Sequence, residues 1–352
     1  MRRILYIDYI FLFGHVNFDK IQINALRRTG AEVKLVMHEA FAARLGFPAQ
    51  DYELVIPARL NPPAGASPLL NRIYFLRTLL YIRRHVDFRA WDAVVFSTFD
   101  EVTMSLVPLC RRKLLFCHGN VTTLGITAKR LLMKLIGRHN YFLVFNDYMR
   151  RKCLATGLSR TMVVFHGCVK PYRMDRAAER LPFDKSRYSM VIFHPSASPN
   201  VEFFRSLTSD RGFCDFLMRE NILLVLHTDT ALGSACPNIM EIKGYMEGDE
   251  YKALFLTSDI ILIAYPASFC YRVSGVSYEC VANGKRALIL SSDAFNYCRD
   301  YYNYDPMFAD ARALEEKILY LRSHDEARCT ASPASLEPDY TEILARVAKG
   351  RG

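Results

Sequence analysis

Short apolar runs alternate along the chain with segments of helical spacing. In the first half, Arg3–Tyr9, Glu32–His38, Ala93–Thr98, Lys113–Cys117, Tyr141–Asn146 and Thr161–Phe165 are almost continuously hydrophobic. That is the pattern of parallel strands buried on both faces. Asp19–Thr29, Leu69–Trp91, Glu101–Leu109 and Thr127–Arg138 read as helices, the first closed by Gly30, and Asn61–Pro68 reads as a loop. The second half restarts the alternation, with strands at Met190–His194, Ile222–His227, Met240–Lys243, Asp259–Ala264 and Arg286–Ser291. Helices fall after Val201, at Gly248–Leu256 and at about 275–283, where Ser274 is a fair N-cap and Gly284 a helix-ending glycine. The expected class is α/β with parallel sheets.

Residues 170–187 are polar and without hydrophobic period, so the domain linker is placed there. The expected division is a first domain over 1–172, a second over 187–335, and a tail over 336–352 with a last helix at Glu337–Ala348. The opening Met1–Gly14 has the look of a signal peptide, but Asp8 interrupts it and no small-residue cleavage site follows. It is read as the first buried strand. No uninterrupted apolar run approaches the roughly 20 residues of a spanning helix.

Composition adds two points. Hydrophobic residues make up 51% and charged residues 23%, as in a globular chain of two ordinary domains. The ten cysteines contain no Cys-x-x-Cys pair and suit neither a zinc site nor a disulfide framework, which fits a reducing cytosol. Charge is uneven: residues 1–170 carry a net +14 and residues 171–352 a net −4. The first half therefore expects an anionic partner, namely lipid headgroups, a phosphorylated acceptor or nucleic acid. No nucleic-acid module accompanies the charge, so that class ranks last.

Candidate chemistry lies at strand ends. Gly14 and His15 follow the first strand, where they either line a cleft or form a plain turn; Asp-x5-Gly-His is not a dinucleotide fingerprint. His118-Gly119 ends the strand Lys113–Cys117, and the histidine either points into a cleft or caps the next helix. Asp100 follows another strand. Arg130, Lys134 and Arg138 form a basic stripe near Leu131 and Leu135, suited to an anionic membrane surface or to a packed surface helix. Gly275 and Glu279, four apart, share a face of the helix after the strand Asp259–Ala264. The glycine leaves room for a phosphate and the carboxylate can accept sugar hydroxyls; from these residues alone, an ordinary crossover helix with a solvated glutamate is the favoured reading.

Four second-half segments, in order, resemble the GT-B glycosyltransferases of bacterial family 4. They are Ser196–Asn200, Lys243–Lys252, Ser258–Pro266 and Val276–Lys285. The resemblance implies two Rossmann-like domains facing across a cleft and a nucleotide-sugar donor bound by the second. On it, Ser198, Asn200, Gly244, Tyr245, Arg272, Ser274, Gly275 and Glu279 hold the donor. His118 faces the transferred sugar, and Asp100 stands as base if the reaction inverts. Gly14 and His15 line the acceptor side. The reaction is expected to be retaining and to need neither cofactor nor metal. The acceptor is expected to be a saccharide, lipid-linked in a cell-surface polysaccharide pathway, with peripheral contact to the inner membrane face. The pattern departs where the family has a first glutamate, since Tyr271 stands there, and where it has a basic residue near Pro199; Arg272 offers a replacement charge. A sugar-nucleotide 2-epimerase and a non-catalytic nucleotide- or partner-binding protein are the competing readings.

Overall fold

The computed structural model describes residues 2–10, 13–110, 113–196, 200–244, 246 and 248–349. The chain divides into two compact units, Met1–Gly167 with Leu336–Gly352, and Cys168–Ser335.

The first unit is built on seven parallel strands: β1 (Arg3–Asp8), β2 (Glu32–His38), β3 (Tyr52–Ile56), β4 (Ala93–Phe96), β5 (Lys113–Phe116), β6 (Tyr141–Val144) and β7 (Thr161–Val163). Their order is β3-β2-β1-β4-β5-β6-β7. Ile4 pairs with Val33 on one side and Ala93 on the other, so β1 is central. Its residues Ile4, Leu5, Tyr6 and Ile7 are fully buried, each apolar side chain contributing about 1.5–3 kcal/mol by leaving water. Successive connections run outward in opposite directions from β1 and β4, which opens a crevice at their carboxyl ends.

The second unit has six parallel strands: β8 (Met190–His194), β9 (Ile222–His227), β10 (Ile239–Ile242), β11 (Ile260–Ile263), β12 (Arg286–Leu290) and β13 (Met307–Phe308), ordered β10-β9-β8-β11-β12-β13. The reversal here lies between β8 and β11. The start of β11 is pinned by Asp259, whose Oδ2 accepts the Val191 N–H at 2.7 Å while its own N–H donates to the Val191 carbonyl at 2.8 Å.

Several elements differ from the sequence reading. The helix expected over Leu69–Trp91 is Pro68–His85; Val86 turns extended and Asp87 caps a separate turn at Phe88–Ala90. The helix from Glu101 ends at Leu106, ahead of Pro108, which disfavours helical backbone in the residue before it. The segment 170–187 belongs with the second unit, where Lys185 reaches Asp259 at 3.2 Å and Arg180 reaches Asp249 at 3.2 Å.

The final helix, Thr341–Lys349, packs on the first unit through buried Ile343, Leu344 and Val347. The Tyr340 hydroxyl donates to Gln22 Oε1 at 2.6 Å, and Gln22 Nε2 donates to the carbonyls of Phe165 and His166 at 3.1 and 2.9 Å. Gly167 has φ +82, and a Cβ there would stand 2.4 Å from Ile21 Cγ2. Only glycine fits this exit from the first unit. Tyr340→Phe should leave Gln22 Oε1 buried without a donor and lower stability by about 1–3 kcal/mol in urea unfolding.

Candidate functional site

In the first unit the crevice gathers carboxyl and imidazole groups. Asp8 ends β1 and accepts the Ile10 N–H at 3.1 Å through Oδ1. Asp19, on the helix Val16–Arg28, is fully buried; its Oδ1 accepts from Tyr6 OH at 2.7 Å and from Ser97 Oγ. The Oδ2 atoms of both aspartates are buried, and the two carboxyls are within hydrogen-bond reach of each other. Burial and the charge of Asp19 hold the Asp8 carboxyl well above the usual carboxylate range. Burial pushes Asp19 up to about 7, against the pull of the Ser97 and Tyr6 hydroxyls. The pair therefore keeps at least one proton near neutral pH.

His118 follows β5 and places Nε2 2.9 Å from the Ser97 carbonyl, so in the neutral ring the proton sits on that nitrogen. It stacks on His15, with centroids 4.4 Å apart, and meets Phe18 and Phe145 edge-on or tilted at 4.8 and 5.0 Å. His166 packs on the same Phe18 at 5.0 Å. Burial, then the charge of His166, lowers His15 to about 4; burial lowers His166 to about 4. His15 and His166 are thus neutral at physiological pH. Gly14 is exposed in the turn Phe13–His15, with open space where a Cβ would stand. Asp100 caps the helix Glu101–Leu106 through the Thr103 N–H at 2.9 Å, and its other oxygen pairs with Arg72 Nε at 3.2 Å. Both of its carboxylate oxygens are held by the protein.

In the second unit the hub is Tyr265, just beyond β11, which the sequence reading passed over. Its carbonyl lies 3.4 Å from Asn200 Nδ2, its hydroxyl 3.1 Å from Ser274 Oγ, and its ring stacks on Phe269 at 4.3 Å. The Arg272 guanidinium lies over Phe269 at 5.7 Å, an attraction between cation and ring face. Asn200 also caps the helix Val201–Ser209 by accepting the Phe203 N–H at 3.1 Å. Ser274 caps the helix Gly275–Ala282, accepting the Val276 N–H at 3.2 Å. Gly275 is exposed at the first turn of that helix, with nothing within 4 Å of an added Cβ and no positive φ. Neither backbone strain nor protein packing requires glycine there.

Glu279, one turn on, accepts the Tyr251 hydroxyl at 2.5 Å and also the Tyr172 hydroxyl. Burial raises its carboxyl to about 7, against those two hydrogen bonds. A carboxylate has about four acceptor positions, so two tyrosines orient it and leave capacity for a ligand. Gly244 has φ +78, and its carbonyl lies 2.8 Å from His227 Nε2, whose Nδ1 is 3.0 Å from the Pro195 carbonyl. His227 thereby ties the loops after β8 and β10; its place at the end of β9 was the only sequence signal for it. Asn200, Arg272, Ser274 and Glu279 thus surround one helix end, with Gly244 joined through His227. Ser198 and Tyr245 lie outside the described residues. Among the described residues no group of three His, Cys, Asp or Glu side chains could hold a metal ion.

Comparison with solved structures decides the architecture. Sucrose-phosphate synthase from Thermosynechococcus elongatus matches at TM-score 0.66 and 10% identity, over 100% of this chain and 98% of that one. WaaG, a glycosyltransferase involved in lipopolysaccharide biosynthesis, matches at 0.56 and 13%, over 99% and 94%. The fold is GT-B. A third solved structure, a putative UDP-N-acetylglucosamine 2-epimerase from Listeria monocytogenes, matches at 0.60 and 11%, over 92% and 88%. No family model matches the sequence, and no curated protein does. The GT-B assignment thus rests on the course of the chain.

The aspartate pair yields a pH test. An unfolded Asp19 ionises near 4, whereas the folded one holds its proton to about 7. Stability contributed by that proton is complete below about 4 and is lost as pH rises toward about 7. Urea unfolding across this range should show Asp19→Asn gaining on the natural protein as pH rises.

Proposed function

We propose that the chain is a glycosyltransferase that takes a sugar from a nucleotide-sugar donor bound on the second unit. The observation that carries the reading is the helix Gly275–Ala282: an unobstructed glycine at its N-terminus and, one turn on, a carboxylate held by two tyrosines. The Val276 N–H is taken by Ser274 Oγ, so it is the positive end of the helix dipole beside the exposed Gly275 that suits a diphosphate, and the carboxylate suits ribose hydroxyls. Arg272 adds a guanidinium that can bind phosphate in two-pronged fashion. As the diphosphate departs, the guanidinium and the positive end of the helix neutralise its growing charge, when such stabilisation lowers the barrier. No metal is needed for that step. GT-B neighbours that act on sugars support the reading.

On the first unit the reading gives His118 the contact with the transferred sugar, His15 and Gly14 the acceptor side, and retention of configuration. Asp100 remains the base of an inverting variant, although its present partners would first have to release it. The acceptor is a saccharide, lipid-linked, within a cell-surface polysaccharide pathway. The net +14 of residues 1–170 supports peripheral contact with the inner face of the membrane. A second reading, sugar-nucleotide 2-epimerase, draws on structural neighbours of that kind and on the carboxyl–imidazole cluster at the first crevice. Incubation of a UDP-sugar without acceptor separates the two: an epimerised product supports the second, hydrolysis or transfer the first.

Calorimetry with UDP, GDP and dTDP sugars tests the core. Binding of at least one is expected, and absence of binding and of hydrolysis across all would refute it. Glu279→Ala should weaken nucleotide binding about 10- to 100-fold, from the roughly 1.5–3 kcal/mol of hydrogen bonds to a charged group. Because Glu279 ionises near 7, affinity should rise as pH goes from about 6 to 8, and Glu279→Gln should flatten that rise. Gly275→Ala should hold stability level, or raise it by up to about 1 kcal/mol, while weakening nucleotide binding. Unchanged binding in that variant would place the phosphates elsewhere.

A further inference from the structure

The helices Pro68–His85 and Thr127–Gly137 contain no acidic residue. The short helix Glu101–Leu106 packs against both. Their inward bases are accounted for: Arg72 pairs with Asp100 at 3.2 Å and Lys129 with Glu101 at 2.7 Å. Their outward bases have no such carboxylate partner among the described residues, although the Arg77 guanidinium lies over the Tyr74 ring at 5.4 Å. On the first helix Leu69, Ile73, Arg77, Leu80 and Arg84 are all exposed, and at 100° per residue they fall within an arc of about 80°. On the second, Leu131, Lys134, Leu135 and Arg138 form a matching exposed stripe. Leu69 is 70% exposed, Leu131 60% and Leu135 50%, and Leu106 on the middle helix is 63% exposed. Among the described residues no ion pair engages Arg77, Arg84, Lys134 or Arg138. Each of these four leucines turns half or more of its surface to solvent.

We infer that this three-helix flank of the first unit docks on an anionic lipid bilayer, its leucines at the acyl boundary and its outward cations on the headgroup phosphates. Interleaved apolar and cationic side chains on one stripe match an interface that is itself apolar below and anionic above. A second copy of the same face would set cation against cation, with no acid on either long helix to relieve it. The inference deepens the lipid-linked acceptor proposed above and rests on that reading for its purpose, though not for its measurement.

Sedimentation of the full chain with phosphatidylcholine vesicles, with and without phosphatidylglycerol, tests it at low and high salt. Binding is expected only with phosphatidylglycerol and should weaken with salt. Lys134→Gln with Arg138→Gln should weaken it about 25-fold, from about fivefold per cation. Leu131→Ser with Leu135→Ser should weaken it about tenfold or more, and the exposure of all four positions keeps the fold intact, checked by circular dichroism. No binding by the natural chain would overturn the inference. So would undiminished binding in both variants, or a dimer in solution that the leucine variant dissolves. Nucleotide binding is measured in the same samples. For the natural chain, nucleotide binding without vesicle binding refutes the docking face alone, and vesicle binding without nucleotide binding refutes the transferase alone.

Discussion

A parallel strand buried on both faces can present polar groups only at its ends, and both units obey this constraint. β1, β4, β8 and β11 have no solvent-facing side. Their carboxyl ends therefore carry what chemistry the sheets can offer, at the two places where strand order reverses. In the first unit the concentration is so high that two aspartates share their polar space with Tyr6 and Ser97. In the second it spreads over a tyrosine hub, a capped helix and one oriented carboxylate. The contrast is of burial: Asp19 has no contact with solvent, whereas Glu279 is partly open beside an exposed glycine and an exposed arginine.

Much of what resembles a binding motif in the second unit is holding the fold. Asp259 stitches β11 to β8. Lys285 directs its ammonium to the carbonyls of Leu256 and Ser258 at 2.5 and 2.7 Å, closing the end of the helix Gly248–Thr257 where free carbonyls favour a cation. Asn200 divides its amide between a helix cap and the Tyr265 carbonyl. These residues bring the helix Gly275–Ala282 to the end of β11, while the ligand-facing groups are few. A GT-B site of this kind is mostly scaffold.

The buried strands were legible because their apolar runs are unbroken, and the switch-point helix because Ser274 and Gly284 bracket it. Edge elements were not. β3 alternates between exposed and half-buried positions, and β13 is two residues long; neither leaves a run to read. Two helices on either side of Asp210 escaped separation because that one residue ends Val201–Ser209 and caps Arg211–Arg219. At the site, Glu279 and Gly275 stood out by spacing, but the tyrosines that orient Glu279 did not. Tyr251 is 28 positions away in sequence and Tyr172 lies across the unit's length, and no local pattern marks a hydroxyl aimed at a distant carboxylate. Asp8 was read only as an interruption of an apolar run; its partner lies on a helix whose buried polar positions no periodicity distinguishes.

The last helix gives the chain an unusual order of completion during synthesis. Residues 168–335 of the second unit leave the ribosome before residues 336–349, which supply Tyr340, Ile343, Leu344 and Val347 to the first unit. The N-terminal sheet must therefore wait, with Gln22 unmet and an apolar groove open, while a whole second domain is made and free to fold. Domains usually finish from the N-terminus onward; here the second can finish first, and the first closes only when the chain returns to it.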